Sequence, residues 1–313
     1  MQTIYMSGDG GLVPVDEACD GAWISLVDPS ETEIESVSKR YGVDPDDLRA
    51  ALDVEERSRA SAEDGYVLVL VDVPTTEVRA GRSWYVTIPL GIIIASTAII
   101  TVCLEKVPVL AEIESGRVKN LRTSMKTRFT LQLLMQNASS YLAALRQMDK
   151  MIDNQEAALR RSTRNEELIE MLELEKSLVY INTSLVSNQR VLEKLVRMSA
   201  VKKYPEDDDL LQDTIIENEQ AMEMASIYSG ILSGTMDAYA SIIANNQNTI
   251  MKTLALITIV MSIPIMIFSA YGMNVDLAGM PLARSVWGFA ALIGISFIVS
   301  VLVVVFFIRK RWF

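Results

Sequence analysis

The chain has 313 residues, half of them hydrophobic, with a net charge of -11 and a positive mean hydropathy. It has no histidine, so the commonest general base and the commonest transition-metal ligand are missing. An acidic body with a short basic tail, Arg309-Lys310-Arg311, excludes the basic patches that a nucleic-acid binder uses against phosphates. The two cysteines, Cys19 and Cys103, are too few and too far apart for a disulfide framework or a zinc-ligand set, and read as buried free thiols in a reducing compartment.

The N-terminus lacks a basic region and an apolar core, so no signal peptide is expected. Residues 22–27 and 66–73 read as strands, and residues 31–41 and 45–52 as helices, each preceded by a capping Ser or Asp. Residues 86–104 form an uncharged run that is ambiguous by hydropathy. Its Ile, Val and Thr content, with Pro89 and Gly91 early and Ser96-Thr97 as an interruption, favours two buried strands at 84–94 and 98–104. Residues 1–117 are thus expected to form an α/β domain.

From 118 to 200 there is no Pro or Gly, and apolar residues recur at helical spacing. Leu131, Leu134, Ala138, Tyr141 and Leu145 begin one stripe; Met171, Leu174, Leu178, Ile181 and Leu185 belong to another. Two long antiparallel helices, turning near 161–165, account for residues 118–204, and the stripes for their core. After Tyr204-Pro205 the acids Glu206 to Asp209 suit the first turn of a new helix. This helix is expected to run to Ala270, on the order of 95 Å, with a cytoplasmic stalk at 205–252.

Two uncharged runs reach spanning length, so residues 253–313 form a membrane domain with helices at 253–272 and 286–308 and a short loop between them. Lys252 precedes the first span and Arg309, Lys310 and Arg311 follow the second, whereas the loop offers only Asp276 and Arg284. The distribution of Lys and Arg places both termini in the cytoplasm and the loop outside, in a cell membrane.

Alternate steps of four and three put Asp237, Ser241, Ala244, Asn248, Met251, Ala255, Thr258, Ser262, Ile265 and Ser269 on one face. Close packing of helices explains the small residues. It explains less well an Asn and an Asp that continue the line, which a pore lining would use. One helix cannot enclose a pore, so this reading requires a cyclic homo-oligomer, with Met251 and Leu254 as an apolar constriction. Residues 204–251 contain acids and no Lys or Arg. A solvated acidic face is the simple account; bound divalent cations would relieve repulsion between copies, since carboxylates suit hard ions such as Mg2+.

Tyr271-Gly272-Met273-Asn274, at the end of the penultimate span, resembles the signature of the CorA magnesium channels of the two-span GxN superfamily. Ser233-Gly234, Asp237-Ala238-Tyr239, Asn248 to Leu254, and Lys310-Arg311-Trp312-Phe313 resemble the family's stalk and tail, and the resemblance covers the whole chain. It implies a CorA-like funnel: an α/β cytoplasmic domain, a long α-helical stalk and two C-terminal transmembrane helices, in a homopentamer. It implies Mg2+ influx, with Co2+ or Ni2+ also passing, gated by intracellular Mg2+. Gly272, Met273 and Asn274 would form the outer selectivity ring, Gly272 letting the backbone turn sharply. Asn248 and Asp237 match lower pore positions. Asp213, with Glu217 and one of Asp53, Glu55 or Glu56, would hold regulatory Mg2+ between subunits. The family often has Met-Pro-Glu in the loop, where this chain has Met280-Pro281-Leu282, and Ile265 stands where Thr is frequent. No Walker-type phosphate loop or enzyme constellation is present in the sequence. A proton-coupled zinc transporter of the same superfamily and a non-conducting membrane-anchored coiled coil are the alternatives.

Overall fold

The computed structural model describes residues 1–8, 11–79, 81–118, 120–161, 165–199, 201, 205–274, 280–282 and 285–310. The chain divides into two compact units, Met1–Met236 and Asp237–Phe313.

The first unit is built on a seven-stranded mixed sheet of β1 (Gln2–Gly8), β2 (Gly11–Pro14), β3 (Ala22–Val27), β4 (Arg59–Glu63), β5 (Tyr66–Arg79), β6 (Arg82–Ala95) and β7 (Ala98–Cys103). The spatial order is β2-β1-β3-β7-β6-β5-β4, and only β3 and β7 are parallel. All six residues of β7 are buried. A central strand covered on both faces needs such an unbroken apolar run, and this is why residues 86–104 mimic a membrane segment. The strands expected at 84–94 and 98–104 are β6 and β7. The antiparallel β5–β6 pair runs from Tyr66–Ala95 to Arg79–Arg82, longer than the expected strands.

One face of the sheet is covered by α1 (Glu31–Tyr41) and α2 (Pro45–Ala50), packed on Ile24, Leu26, Leu68, Leu70, Ile93 and Ile100. Ser30 and Glu33 form a reciprocal capping box, and Asp44 caps α2. The α2 helix ends at Ala50, short of the expected 52. The other face carries α3 (Pro108–Glu114), α4 (Lys126–Arg161) and α5 (Asn165–Arg197). Trp23 anchors this core. Its indole N–H donates to Thr101 Oγ1 at 2.9 Å, and its ring lies 4.9 Å from Tyr5 and 5.2 Å from Phe129. The turn expected at 161–165 falls largely on residues outside those described.

Two ion pairs, Arg82–Glu170 and Arg79–Glu173, join the end of the β5–β6 hairpin to α5. Pro89 lies opposite Asp72, beyond the stretch of β6 paired with β7, so its missing N–H costs no ladder bond there.

The α6 helix (Pro205–Tyr271) is one continuous element, with Pro264 inside it. Leu211, Ala221, Ala225 and Leu232 bury its first-unit portion, and the Asn218 amide donates to Leu185 O at 3.1 Å and Gln189 Oε1 at 2.9 Å. Arg128 pairs with Glu206 at 2.9 Å. The second unit contains the rest of α6 and α7 (Gly288–Arg309).

Candidate functional site

Both α6 and α7 contain apolar windows long enough to cross a bilayer. Within the second unit, all ten residues of the stripe from Asp237 to Ser269 are exposed. In the apolar stretch of the same helix, from Ala255 on, the part-covered positions are Leu256, Val260, Ile263, Pro264, Ile267 and Tyr271. At about 100° per residue, their face is centred about 180° from that of Ala255, Thr258, Ser262, Ile265 and Ser269. On α7 the covered positions include Gly288, Ala291, Leu292, Gly294, Ser296 and Ser300. Small residues on such a face let helix backbones approach closely in lipid. The polar stripe is therefore not on the part-covered face of this stretch of α6.

Two of the stripe's hydroxyls are satisfied without being consumed. Thr258 Oγ1 donates to Leu254 O and Ser262 Oγ to Ile259 O, each at 2.8 Å, and each oxygen keeps acceptor capacity. Met251 and Leu254 are 63% and 56% exposed, so among the described residues no packing accounts for these apolar side chains near the polar line.

At the end of α6 the Gly272 N–H donates to Phe268 O at 2.9 Å and Ser269 O at 3.2 Å. Gly272 is not among the glycines in the left-handed region, and an added Cβ would meet those oxygens at 3.4 and 3.5 Å. Gly272 closes the last helical turn without a left-handed conformation, and the chain bends at Met273 just beyond it. Met273 and Asn274 are exposed. The Tyr271 hydroxyl donates to Pro281 O at 2.6 Å and ties the helix end to the returning segment. Leu282, where an acid was noted as missing, adopts φ 64°. A Cβ at Gly288 would collide with its carbonyl oxygen, so a glycine is needed where α7 begins. Asp276, Arg284 and Arg311 lie outside the described residues. Lys252, Arg309 and Lys310 are exposed beside the apolar stretches.

The acids expected to hold regulatory Mg2+ are not gathered within one chain. Asp213 and Glu217 sit one turn apart on α6, the first exposed and the second half-buried. Asp53 Oδ1 accepts from the Glu55 N–H at 3.0 Å, and Glu56 is paired with Arg59. Among the described residues no three Asp, Glu, Cys or His side chains form a metal-binding group. The Tyr271–Pro281 tie and the Gly288 contact were not foreseen; Tyr271 and Gly288 carried no periodic signal of their own.

An α/β domain followed by a long helix that ends as one of two apolar C-terminal spans defines a membrane protein of the two-span type. The chain belongs to the CorA-like Mg2+ transporter protein family, whose model matches residues 20–310. It is similar to the cobalt/magnesium transport protein CorA of Methanocaldococcus jannaschii, 27% identical over 299 residues, covering 93% of this chain and 90% of the relative. The CorA of Thermotoga maritima, also named as a cobalt/magnesium transport protein, is 22% identical over 306 residues, covering 96% and 86%. The complete structure of the CorA magnesium transporter from M. jannaschii matches with a TM-score of 0.85 at 24% identity, over 100% of this chain and 99% of the other. That likeness establishes the CorA fold.

Proposed function

We propose that copies of this chain form a membrane channel for Mg2+, also passing Co2+, with the α6 stripe turned to a symmetry axis and Gly272-Met273-Asn274 at its outer mouth. The observation that carries this reading is the exposure of all ten stripe residues, with Ala255, Thr258, Ser262, Ile265 and Ser269 opposite the part-covered face of the apolar stretch. The names of the two CorA relatives support the choice of ions. A homopentamer is the assembly that the family resemblance implies, with both termini in the cytoplasm.

Mg2+ sheds its water reluctantly and prefers an octahedral shell. A ring of Asn274 carboxamides offers neutral oxygens to a hydrated ion without competing for the metal. Below it, Ser269, Ser262, Thr258, Asn248 and Asp237 continue a polar path, interrupted by the apolar Met251 and Leu254, where dewetting would close the conduit. The membrane potential drives uptake, about 4.6 kcal/mol per 100 mV for a divalent ion. Asp213 and Glu217 of one copy, facing Asp53, Glu55 or Glu56 of the next, would bind intracellular Mg2+ and hold the closed state. This reading is intersubunit, in keeping with the absence of a three-acid group among the described residues of one chain.

Uptake into proteoliposomes containing a Mg2+-sensitive dye tests the proposal. Potential-driven Mg2+ uptake, inhibited by Co2+, is expected. Zn2+ uptake without Mg2+ uptake would assign the chain to zinc transport instead.

A further inference from the structure

The acidic body of the chain contains one basic interval. From Ser115 to Met148 there is no Asp or Glu, and Arg117, Lys119, Arg122, Lys126 and Arg128 fall in the connection from α3 to α4 and the first turn of α4. Two of these cations are used internally. Arg128 pairs with Glu206, and the Lys126 ammonium donates to Ala95 O at 3.0 Å and to Ser96 O. Arg117 and Arg122 are exposed, and among the described residues neither has a carboxylate partner. Lys119 lies outside the described residues.

The same connection forms one side of a cleft of about 660 Å3, and the end of the β1–β2 hairpin forms the other. That volume suits a small molecule rather than a single ion. Two contacts fix the walls. The Ser7 N–H donates to Thr123 Oγ1 at 3.3 Å, with Thr123 itself buried, and Gly21 packs on the Ser124 backbone, where a Cβ would lie 3.1 Å from Ser124 Cα. Among the described lining residues Arg122 is the one charged side chain; Asp9, in the hairpin turn, lies outside them. The neutral lining includes Ser7 and Gly11 from the hairpin and Gly116, Asn120 and Ser124 from the connection. A Cβ added at Gly11 or Gly116 would meet nothing within 4 Å, so bare backbone is open to a ligand there. Gly116 and Asn120 adopt φ 72° and 58°. Such left-handed residues turn neighbouring N–H groups toward one side, which favours anions. Among the described residues the N–H groups of Leu121, Arg122 and Ser124 donate to no other residue.

We propose that this cleft binds the phosphate groups of a small phosphorylated molecule, held by Arg122 together with Ser124, Asn120 and the backbone of the connection. A guanidinium matches phosphate with two parallel hydrogen bonds, and the remaining phosphate oxygens accept from the hydroxyl, amide and backbone donors beside it. The net charge of -11 repels anions at long range, so binding depends on this local set of donors. The connection runs directly into α4, whose Phe129 packs on Trp23. An occupant of the cleft therefore bridges the β1–β2 hairpin and the segment that starts α4.

Titration calorimetry of the purified full-length protein with pyrophosphate and with ATP tests this, in buffer free of Mg2+ because both probes chelate it. Saturable binding of each is expected, with pyrophosphate displacing ATP. Arg122→Glu should weaken both by about tenfold or more, the effect of losing a charged hydrogen-bond donor, and Arg122→Lys by less. Arg57→Glu makes the same charge change at an exposed arginine that lines no part of the cleft; it should weaken binding by no more than about twofold, since distant charges are screened. Pyrophosphate should also slow trypsin cleavage after Arg117 and Arg122 in the wild type. No saturable binding by the wild type, equal losses in Arg122→Glu and Arg57→Glu, or bound ATP that pyrophosphate does not displace would each overturn the proposal. Should Arg122→Glu fail to fold, Arg122→Lys against the wild type decides, and unchanged affinity together with unchanged trypsin protection overturns it.

Discussion

Gly91 in β6 is the position where one methyl group should matter most to the α/β domain. Its neighbours across the sheet are Leu70 of β5 and Val102 of β7, and above it sits the fully buried Ala51 at the end of α2. A Cβ built on Gly91 lies 2.8 Å from Ala51 Cβ, 3.6 Å from Leu70 Cδ2 and 3.7 Å from Val102 O. An ordinary contact begins at 3.4 Å, so Ala51 would have to retreat by about 0.6 Å, in a region where Leu48 and Ile100 are also fully buried. Overpacking of this kind costs about 1–3 kcal/mol, offset by at most ~1 kcal/mol from the stiffer unfolded chain. For a unit of this size the uncompensated cost lowers the midpoint by about 2–12 °C. Circular dichroism melts of Gly91→Ala, Ala51→Gly and the double variant measure it. The double variant is expected to recover part of the loss, with a coupling energy of about 1 kcal/mol or more. A coupling of zero would refute the close-approach argument.

Two further outcomes are expected. Cys19 is exposed, whereas Cys103 is buried and its thiol is pushed up to about 12, chiefly by burial; maleimide near neutral pH should therefore label one thiol per native chain and two after denaturation. Labelling of both in the native protein would contradict the packing of β7 against β3. If Asp213 holds regulatory Mg2+ between copies, Asp213→Lys should weaken the protection that Mg2+ gives against limited trypsin digestion; unchanged protection would remove Asp213 from that role.

Much of this architecture can be read from residue order alone. The apolar stripes of α4 and α5, the Pro205 start of α6 and the capping Ser30 and Asp44 each reflect a local rule that tertiary packing then reinforces. Other elements are invisible for physical reasons. β1 is half-buried along most of its length and β2 is a four-residue edge strand, so neither shows a clean alternation. β4 reads Arg-Ala-Ser-Ala-Glu and owes its place to pairing with β5 rather than to propensity. Cys19 was expected to be buried and is exposed, because it lies in a surface connection before β3. At the candidate site, periodicity gave the stripe. It did not give the tie from Tyr271 to Pro281, which joins residues ten apart at no helical period. The bonding of the Asp72 backbone was hidden as well, since a single Asp in a strand pattern looks like a solvent-facing position until Asn137 and Asn188 arrive from distant helices.

The central claim is that the exposed face of α6 and the segment ending in Asn274 form a conduit for a hydrated divalent cation. Potential-driven Mg2+ flux into liposomes, compared between the parent protein and Asn274→Ala at equal reconstitution, tests it most directly. The account predicts saturable flux in the parent and its loss or a change of ion preference in the variant, with the assembly and melting of the protein unchanged. Mg2+ flux that is absent from the parent, or identical in both proteins, would contradict it.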